Sequence, residues 1–185
     1  MLNPTREGRT GVRATPQPNG TLDFELGLAG AGKAFTVIGG PFDAMPYTSA
    51  DFGVCVRAEA VPAFADEKVP IEDFGVPADK ELLTEALLRT FMAAIDGRKV
   101  YVGCMGGWGR TGLFLALMAK AAGVLDPVEY VRREYTSRAV ETARQELFVD
   151  QFDVRELRRA INAYAWRAFF KSWLQFFTSW PRFSH

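Results

Sequence analysis

The amino-acid sequence predicts an α/β fold with a mostly parallel central sheet and helices on both faces. Between about residues 21 and 153, short strand-like segments alternate with longer segments of helical periodicity. The chain has 185 residues, of which 48% are hydrophobic and 13% aromatic, as in globular proteins with a sizeable core. These two observations together favour one compact α/β domain with additional terminal segments.

Three strand-like segments come first along the chain, and they are TLDFELGL, AFTVIGG and DFGVCVRAEAV. Helical periodicity follows at residues 79–96, 111–122, 127–134 and 142–152. Between the first two helices lies KVYVGC, a short β-branched run that is typical of a buried parallel strand. The order of these segments predicts a parallel arrangement for most of the sheet.

The composition divides the chain into three parts. Residues 1–20 are polar, basic and rich in proline and glycine, which predicts a flexible N-terminal arm. Residues 21–153 form the predicted α/β domain, and residues 154–185 form an aromatic-rich C-terminal helix. No signal peptide or membrane-spanning segment is predicted. The two cysteines, Cys55 and Cys104, are compatible with a reducing cytoplasmic location.

Charge and histidine content exclude several classes of function. The 22 basic and 22 acidic residues balance, so no overall positive field favours a nucleic-acid partner. The single histidine is His185, the last residue, which argues against histidine metal clusters and a histidine general base. We therefore expect no metal and no cofactor.

The strongest functional pattern is VYVGCMGGWGRTGLF, residues 100–114. Cys104 ends the predicted strand, Arg110 begins the next helix, and glycine occupies three of the five positions between them. Such a loop can turn its backbone N–H groups inward, beside the positive end of the helix dipole. This arrangement binds a tetrahedral anion, favours a thiolate, and places a guanidinium against phosphate oxygens. The pattern predicts nucleophilic attack on phosphorus by Cys104.

Two other glycine-rich loops fit less well. A Walker loop ends in Gly-Lys followed by Ser or Thr, whereas this loop ends in Gly-Arg-Thr. A dinucleotide-binding loop is matched only by Gly107, Gly109 and Gly112, without the acidic residue that should follow. A tight strand–helix turn whose glycines only permit packing is the structural alternative.

CMGGWGRTG resembles the signature loop of the cysteine-dependent protein tyrosine and dual-specificity phosphatases, HCxxGxxR(S/T). Two further segments match in the family's order. IEDFGVP at 71–77 resembles its general-acid loop, and RAVETARQELFV at 138–149 resembles a segment whose glutamine orients water. The resemblance spans roughly residues 50–153 and is greatest to small bacterial and phage members. It implies hydrolysis of phosphomonoesters through a cysteinyl-phosphate intermediate, without metal or cofactor.

The resemblance also implies a role for each residue of the site. Cys104 attacks phosphorus, Asp73 protonates the leaving group and then deprotonates water, and Gln145 positions that water. Thr111 donates its hydroxyl to the sulfur, and Arg138 braces the loop or contacts substrate. The phosphate-binding positions are Met105, Gly106, Gly107, Trp108, Gly109 and Arg110.

Plainer interpretations of single residues stay open. Asp73 could be a turn residue, Gln145 an exposed helix residue, and Cys55 a small buried apolar residue. Some relatives form a reversible disulfide between the nucleophile and a cysteine on a neighbouring strand, which makes Cys55 a candidate for that role.

The chain departs from the family pattern at Gly103, where the family has histidine. Because that histidine orders the loop and lowers the thiol pKa, we expect a higher pKa for Cys104 and a slower first step. A phosphate-binding module with little turnover is therefore the alternative function. Asp73, Thr111 and Gln145 favour an enzyme, since a binding module needs neither an acid nor a water-positioning group.

The loop also indicates a substrate class. No lysine occurs among the variable loop positions, and Trp108 suits a flat phenyl ring. We expect phosphotyrosine in proteins or peptides, with phosphoserine and phosphothreonine as further substrates. Nucleotide, RNA and lipid phosphates are the alternatives.

The C-terminal segment carries aromatic residues on one helical face. They are Trp166, Phe169, Phe170, Trp173, Phe176, Phe177 and Trp180. Arg167, Lys171 and Arg182 flank this face, and no acidic residue follows Glu156. Packing on the domain or on a second copy, peripheral membrane contact, and a partner-protein groove are the three interpretations. We expect the catalytic site to be complete without residues 160–185.

Overall fold

The computed structural model describes residues 15–27 and 32–178, with side chains up to residue 174. The strands within these residues are β1 (Gly20–Leu26), β2 (Lys33–Pro41), β3 (Phe52–Cys55), β4 (Glu67–Lys68) and β5 (Val100–Cys104). The α-helices are α1 (Lys80–Ile95), α2 (Gly109–Ala122), α3 (Pro127–Glu134), α4 (Ala143–Gln151) and α5 (Arg155–Thr178). A short 3-10 helix spans Phe42–Tyr47.

The strands form a single sheet in the order β1-β2-β5-β3-β4. Strands β1 and β2 are antiparallel, whereas β2–β5, β5–β3 and β3–β4 are parallel. The register pairs Pro41 with Cys104 and Cys55 with Gly103, so the carboxyl ends of β2, β5 and β3 meet at one edge. Ligand sites of α/β sheets form at this edge. The predicted mostly parallel sheet flanked by helices is confirmed.

The two faces of the sheet are covered unequally. On β5, Val100 and Val102 belong to the main hydrophobic core, to which each of the five α-helices contributes buried residues. Tyr101 points to the other face, where it packs with Phe42 and Met45 of the 3-10 helix in a smaller cluster. The expectation of helices on both faces therefore needs a correction, because the described α-helices pack on one face and the 3-10 helix covers the other.

Side-chain caps fix where three of the helices begin. Asp79 accepts a hydrogen bond from the N–H of Leu82 at the start of α1, and Thr142 accepts one from the N–H of Gln145 at the start of α4. Asp126 caps α3 in the same way. Such caps satisfy amide groups that lack partners within the helix. The predicted helix bounds are confirmed to within about two residues.

The first three turns of α5 belong to the domain core. Leu157, Ile161 and Ala165 are only 3%, 1% and 4% exposed. From Phe169 to Leu174 every side chain is exposed. Ile161 and Ala165 lie within residues 160–185, so deletion of that segment would take buried side chains from the core. The expectation that the catalytic site is complete without this segment stays a prediction. The side chains of Phe176, Phe177, Trp180 and Arg182 lie outside the described residues, as do residues 1–14.

None of the described helices is both long and apolar enough to cross a lipid bilayer. The exposed stretch of α5 instead combines aromatic side chains with two cations. Phe169 and Phe170 are 42% and 54% exposed and pack against Trp166, and Arg167 and Lys171 lie among them.

Two truncations should separate the buried and exposed parts of α5. Deleting residues 169–185 should change the melting temperature little, because the removed side chains that the structure describes are exposed. Deleting residues 160–185 also removes Ile161 and Ala165, and the loss of a buried aliphatic side chain alone costs about 2–5 kcal/mol. Thermal unfolding measures both effects. Equal melting temperatures would show that the core does not depend on α5.

Candidate active site

Cys104 lies at the carboxyl end of β5 and is 3% exposed. The N–H of Gly107 donates a hydrogen bond to Cys104 Sγ at 3.2 Å, so at least one loop amide points inward. The N–H of Cys104 donates to Thr111 Oγ1 at 2.9 Å, which attaches Cys104 to the first turn of α2. The thiol is thus held at the floor of the glycine-rich loop, beside the N-terminus of a helix.

Close approach between β2 and the loop requires glycine at two positions. A Cβ at Gly103 would lie 2.7 Å from the carbonyl oxygen of Gly40 and 2.7 Å from Phe42 Cα. Gly107 has a φ of 76°, and a Cβ there would lie 2.3 Å from the carbonyl carbon of Gly40. Because these neighbours are backbone atoms, they cannot rotate away. A histidine at position 103 has no space in this structure.

Two side chains hold the outside of the phosphate-binding loop. The hydroxyl of Tyr135 donates to the carbonyl of Gly107 at 2.6 Å, and Asn19 Nδ2 donates to the carbonyls of Gly106 and Gly107 at 2.9 and 3.1 Å. Burial raises the pKa of the Tyr135 phenol, which keeps it protonated as a donor. These bonds hold the loop at Gly106 and Gly107. They also show that the predicted N-terminal arm is packed at its end, at Asn19.

Arg110 joins the glycine-rich loop to the segment 71–77, which was predicted to be the general-acid loop. Its guanidinium is 4% exposed and donates to Glu59 Oε2 at 2.8 Å and to the carbonyl of Ile71 at 3.1 Å. A second nitrogen lies 3.1 Å from Asp73 Oδ1. The hydrogen bond from Arg110 lowers the pKa of the Glu59 carboxyl. The structure therefore brings Cys104, Arg110 and Asp73 to one cavity, and their catalytic roles stay predictions.

Gln145 is buried and connects two loops. Its Nε2 donates to the carbonyl of Gly75 at 3.0 Å, and its Oε1 accepts from the N–H of Glu141 at 2.9 Å. The residue is 0% exposed, so the interpretation as an exposed helix residue is wrong. Asp73 is 66% exposed and lies two residues before Gly75, on the loop that Gln145 holds.

The segment 138–141 covers the other side of the loop. The Arg138 guanidinium lies 3.4 Å from the ring centroid of Trp108, a stacked cation–π contact. A Cβ at Gly109 would lie 2.1 Å from Glu141 Oε2, so this carboxylate sits directly against the start of α2. Val140 has a φ of 57°, which is unusual for a β-branched residue. Such strained backbone is concentrated at functional sites.

Cys55 belongs to the smaller cluster on the other face of the sheet, whereas Cys104 belongs to the main core. Both are free thiols. Burial raises the pKa of the Cys55 thiol, which makes it a poor nucleophile. Its interpretation as a small buried apolar residue agrees with this environment, and the proposed disulfide with Cys104 stays a prediction.

These elements enclose an open cavity of about 650 Å³. Cys104 and Arg110 line it, and Asp73, Trp108 and Arg138 contribute to its wall. Within the described part of the chain, no group of three or more His, Cys, Asp or Glu side chains is arranged so that it could hold a metal ion. The cavity can hold a phosphate group between a thiol, a buried guanidinium and a carboxyl group.

Tyr135, Asn19 and Glu59 were not predicted as site residues. Tyr135 and Asn19 lie 28 and 88 positions from Gly107, and no local pattern connects them to the loop. Glu59 follows β3, whose carboxyl end adjoins that of β5. Only this sheet order, had it been known, could have indicated Glu59 from the sequence.

Replacing Gly103 should destabilise the protein. A methyl group at Gly103 meets three backbone atoms within 2.8 Å, so Gly103→Ala should lower the free energy of unfolding by about 1–3 kcal/mol through overpacking. Gly103→His should be worse and cannot test the expected thiol pKa. Gly27→Ala is the matched control, because nothing lies within 4 Å of its added Cβ. Chemical denaturation measures both variants, and equal stabilities would contradict the close packing.

The sequence of this chain is similar to part of another known protein. No family model matches the chain. An uncharacterized protein of Methanocaldococcus jannaschii, MJECL20, is 45% identical over 86 residues, which are 45% of this chain and 56% of that protein. The chain therefore spans about half the length of this relative.

Two solved structures are also similar. Kinase associated phosphatase (KAP), with its catalytic-site cysteine replaced by serine, has a TM-score of 0.54 at 18% identity, over 76% of this chain and 97% of that one. Tk-PTP in its active form has a TM-score of 0.47 at 27% identity, over 60% of this chain and 80% of that one. The similarity to KAP establishes the fold, and the predicted cysteine-phosphatase-like architecture is confirmed.

Proposed function

We propose that this chain is a phosphatase that hydrolyses phosphomonoesters, first of all phosphotyrosine in proteins, through a cysteinyl-phosphate intermediate. One observation carries the proposal. Cys104 Sγ accepts a hydrogen bond from a loop amide in the same cavity in which buried Arg110 contacts Asp73. A held nucleophile, an oxyanion-binding cation and an acid are the groups that phosphoryl transfer to a thiolate requires.

In the first step, the loop amides and Arg110 bind the phosphate oxygens. The Cys104 thiolate attacks phosphorus, so that an S–P bond forms while the P–O bond to the leaving group breaks. Asp73, in its protonated form, gives its proton to the leaving oxygen. The carboxyl group must leave Arg110 for this, and its 66% exposure gives it room to move.

In the second step, water attacks the phosphocysteine. The Asp73 carboxylate takes the proton from the water, the S–P bond breaks, and the thiolate leaves with inorganic phosphate. The N–H of Gly107 already donates to the sulfur and stabilises its negative charge. Thr111 Oγ1 accepts from the Cys104 N–H, which leaves its hydroxyl proton free to be donated to the sulfur.

Gln145 acts differently in this proposal from the direct positioning of water implied by the resemblance. Both polar atoms of its amide are bonded, one to Gly75 and one to Glu141. We assign it the part of a positioning residue that keeps the general-acid loop above the cavity.

The alternative is a phosphate-binding module with little turnover, which the missing histidine at Gly103 keeps open. Tyr135 and Asn19 favour the enzyme, because they order the loop without that histidine. Assays with p-nitrophenyl phosphate and a phosphotyrosine peptide decide between the two. We expect turnover of both, competitive inhibition by vanadate, and no effect of chelators. Vanadate binding without turnover of either substrate would establish the binding module. A nucleoside monophosphate and a phosphoinositide test the alternative substrates.

A further inference from the structure

We infer that this site selects phosphorylated residues that are flanked by basic residues in a peptide. The inference rests on the proposed function and concerns the charges at the mouth of the same cavity. Four carboxylate side chains line the cavity beside Cys104, and they are Glu59, Glu72, Asp73 and Glu141. The cavity is lined by only two cationic side chains among the described residues, Arg110 and Arg138.

Both cations are already engaged. Arg110 is buried and contacts the carboxylates of Glu59 and Asp73 at 2.8 and 3.1 Å. Arg138 lies over the ring of Trp108 at 3.4 Å. A phosphate group that displaces the two carboxylates from Arg110 leaves them without this partner, while the phosphate adds its own negative charge.

Two further carboxylates have no cation of their own. Glu72 and Glu141 are exposed, and neither forms an ion pair with a described residue. Glu72 precedes Asp73 on the general-acid loop, and Glu141 lies against Gly109 at the start of α2. Carboxylates from two separate segments therefore line the cavity in which a phosphorylated side chain would bind.

Exposed apolar side chains at the same mouth suit a peptide. Phe74 and Met105 are 60% and 49% exposed, and both line the cavity. Apolar contacts with carboxylates around them match a chain of mixed basic and apolar residues. A ligand with several phosphates would instead need additional free cations, which the described wall of the cavity does not offer.

The expected ratio of kcat/KM between basic and acidic peptides follows from the number of ion pairs that the flanking residues form with the carboxylates of the cavity. An exposed ion pair changes affinity by about two- to fivefold, and like charges oppose binding by similar amounts. Two lysines or arginines in place of two acidic residues should therefore change kcat/KM by at least about tenfold at low ionic strength. Because the charges are exposed, the difference should shrink as salt is added.

Three phosphotyrosine peptides of equal length test this inference, with flanking residues that are basic, neutral or acidic. We expect kcat/KM at low salt to fall in that order, by at least tenfold from basic to acidic. Glu72→Gln combined with Glu141→Gln should reduce this ratio severalfold. Glu81→Gln, an exposed carboxylate on α1, is the matched control and should leave the ratio unchanged. Equal kcat/KM values for the three peptides would overturn the inference.

Binding to Cys104→Ser keeps this inference distinguishable from the proposed function. The dissociation constants of the three peptides for this variant require no turnover, and we expect the same order as for kcat/KM. Selective binding to Cys104→Ser by a chain whose wild-type form hydrolyses neither the peptides nor p-nitrophenyl phosphate would support the inference and contradict the phosphatase. Turnover without selectivity in rate or binding would support the phosphatase and overturn the inference.

Discussion

Cys104→Ser should abolish the hydrolysis of p-nitrophenyl phosphate and of a phosphotyrosine peptide, with a loss of about a thousandfold or more. Serine has no sulfur, so the S–P bond of the first step cannot form, and an alcohol is a much weaker nucleophile towards phosphorus than a thiolate. The variant should still fold, because the side chain is buried, small and similar in shape. It should also bind vanadate, since the loop amides and Arg110 remain.

Arg110→Lys tests the second residue of the proposed phosphate site, the arginine that binds the phosphate oxygens. Lysine keeps the positive charge but loses the planar fork that contacts Glu59, Asp73 and the carbonyl of Ile71. We expect a loss of about 10² to 10³-fold in kcat, the usual effect of removing one oxyanion donor. Thermal unfolding of both variants controls for stability.

Residual activity of Cys104→Ser above one tenth of wild type would contradict the covalent mechanism.

Local patterns predicted most of the fold. The segment KVYVGC predicted β5 because it is short, apolar and β-branched. The helices from Lys80 to Gln151 were predictable because they follow clear helical periodicities and begin at caps such as Asp79. β4 and the 3-10 helix were missed because two and six residues are too short for a period to be recognised. In α5 the aromatic stripe was visible, but the buried contacts are made by Leu157, Ile161 and Ala165, which the stripe does not include.

The residues to which we assign the reaction could be selected from the sequence because they lie in contiguous motifs. Cys104, Arg110 and Thr111 share one loop, and Asp73 lies in a loop of its own. The groups that hold the loop could not be predicted in this way. Tyr135 and Asn19 reach it from segments far along the chain, and only the folded backbone brings their donors to the carbonyl of Gly107. The departure at Gly103 was visible, but its steric reason is the backbone of Gly40 and Phe42.

Asp73→Asn should slow hydrolysis in proportion to how poorly the leaving group departs. An amide cannot give a proton to the leaving oxygen, so the loss should reach about 10² to 10⁴-fold for phosphotyrosine peptides and alkyl phosphates. p-Nitrophenolate leaves without much protonation, so its phosphate ester should lose less. Asparagine can still accept a hydrogen bond from Arg110, whose contact with Asp73 at 3.1 Å would otherwise be lost entirely. Measurement of kcat for wild type and Asp73→Asn on both kinds of substrate gives the ratio of the two losses, unactivated to activated.

The control for this ratio is a second acidic residue with a structural role. Asp79 caps α1 by accepting from the N–H of Leu82, and asparagine caps equally well, so Asp79→Asn should affect both substrates little and equally. Asp73 also contacts Arg110, and a purely structural Asp73 would act through that contact on every substrate alike. An equal loss on activated and unactivated substrates in Asp73→Asn would therefore assign it the positioning of Arg110. A loss that grows with the basicity of the leaving group requires a proton donor at this position.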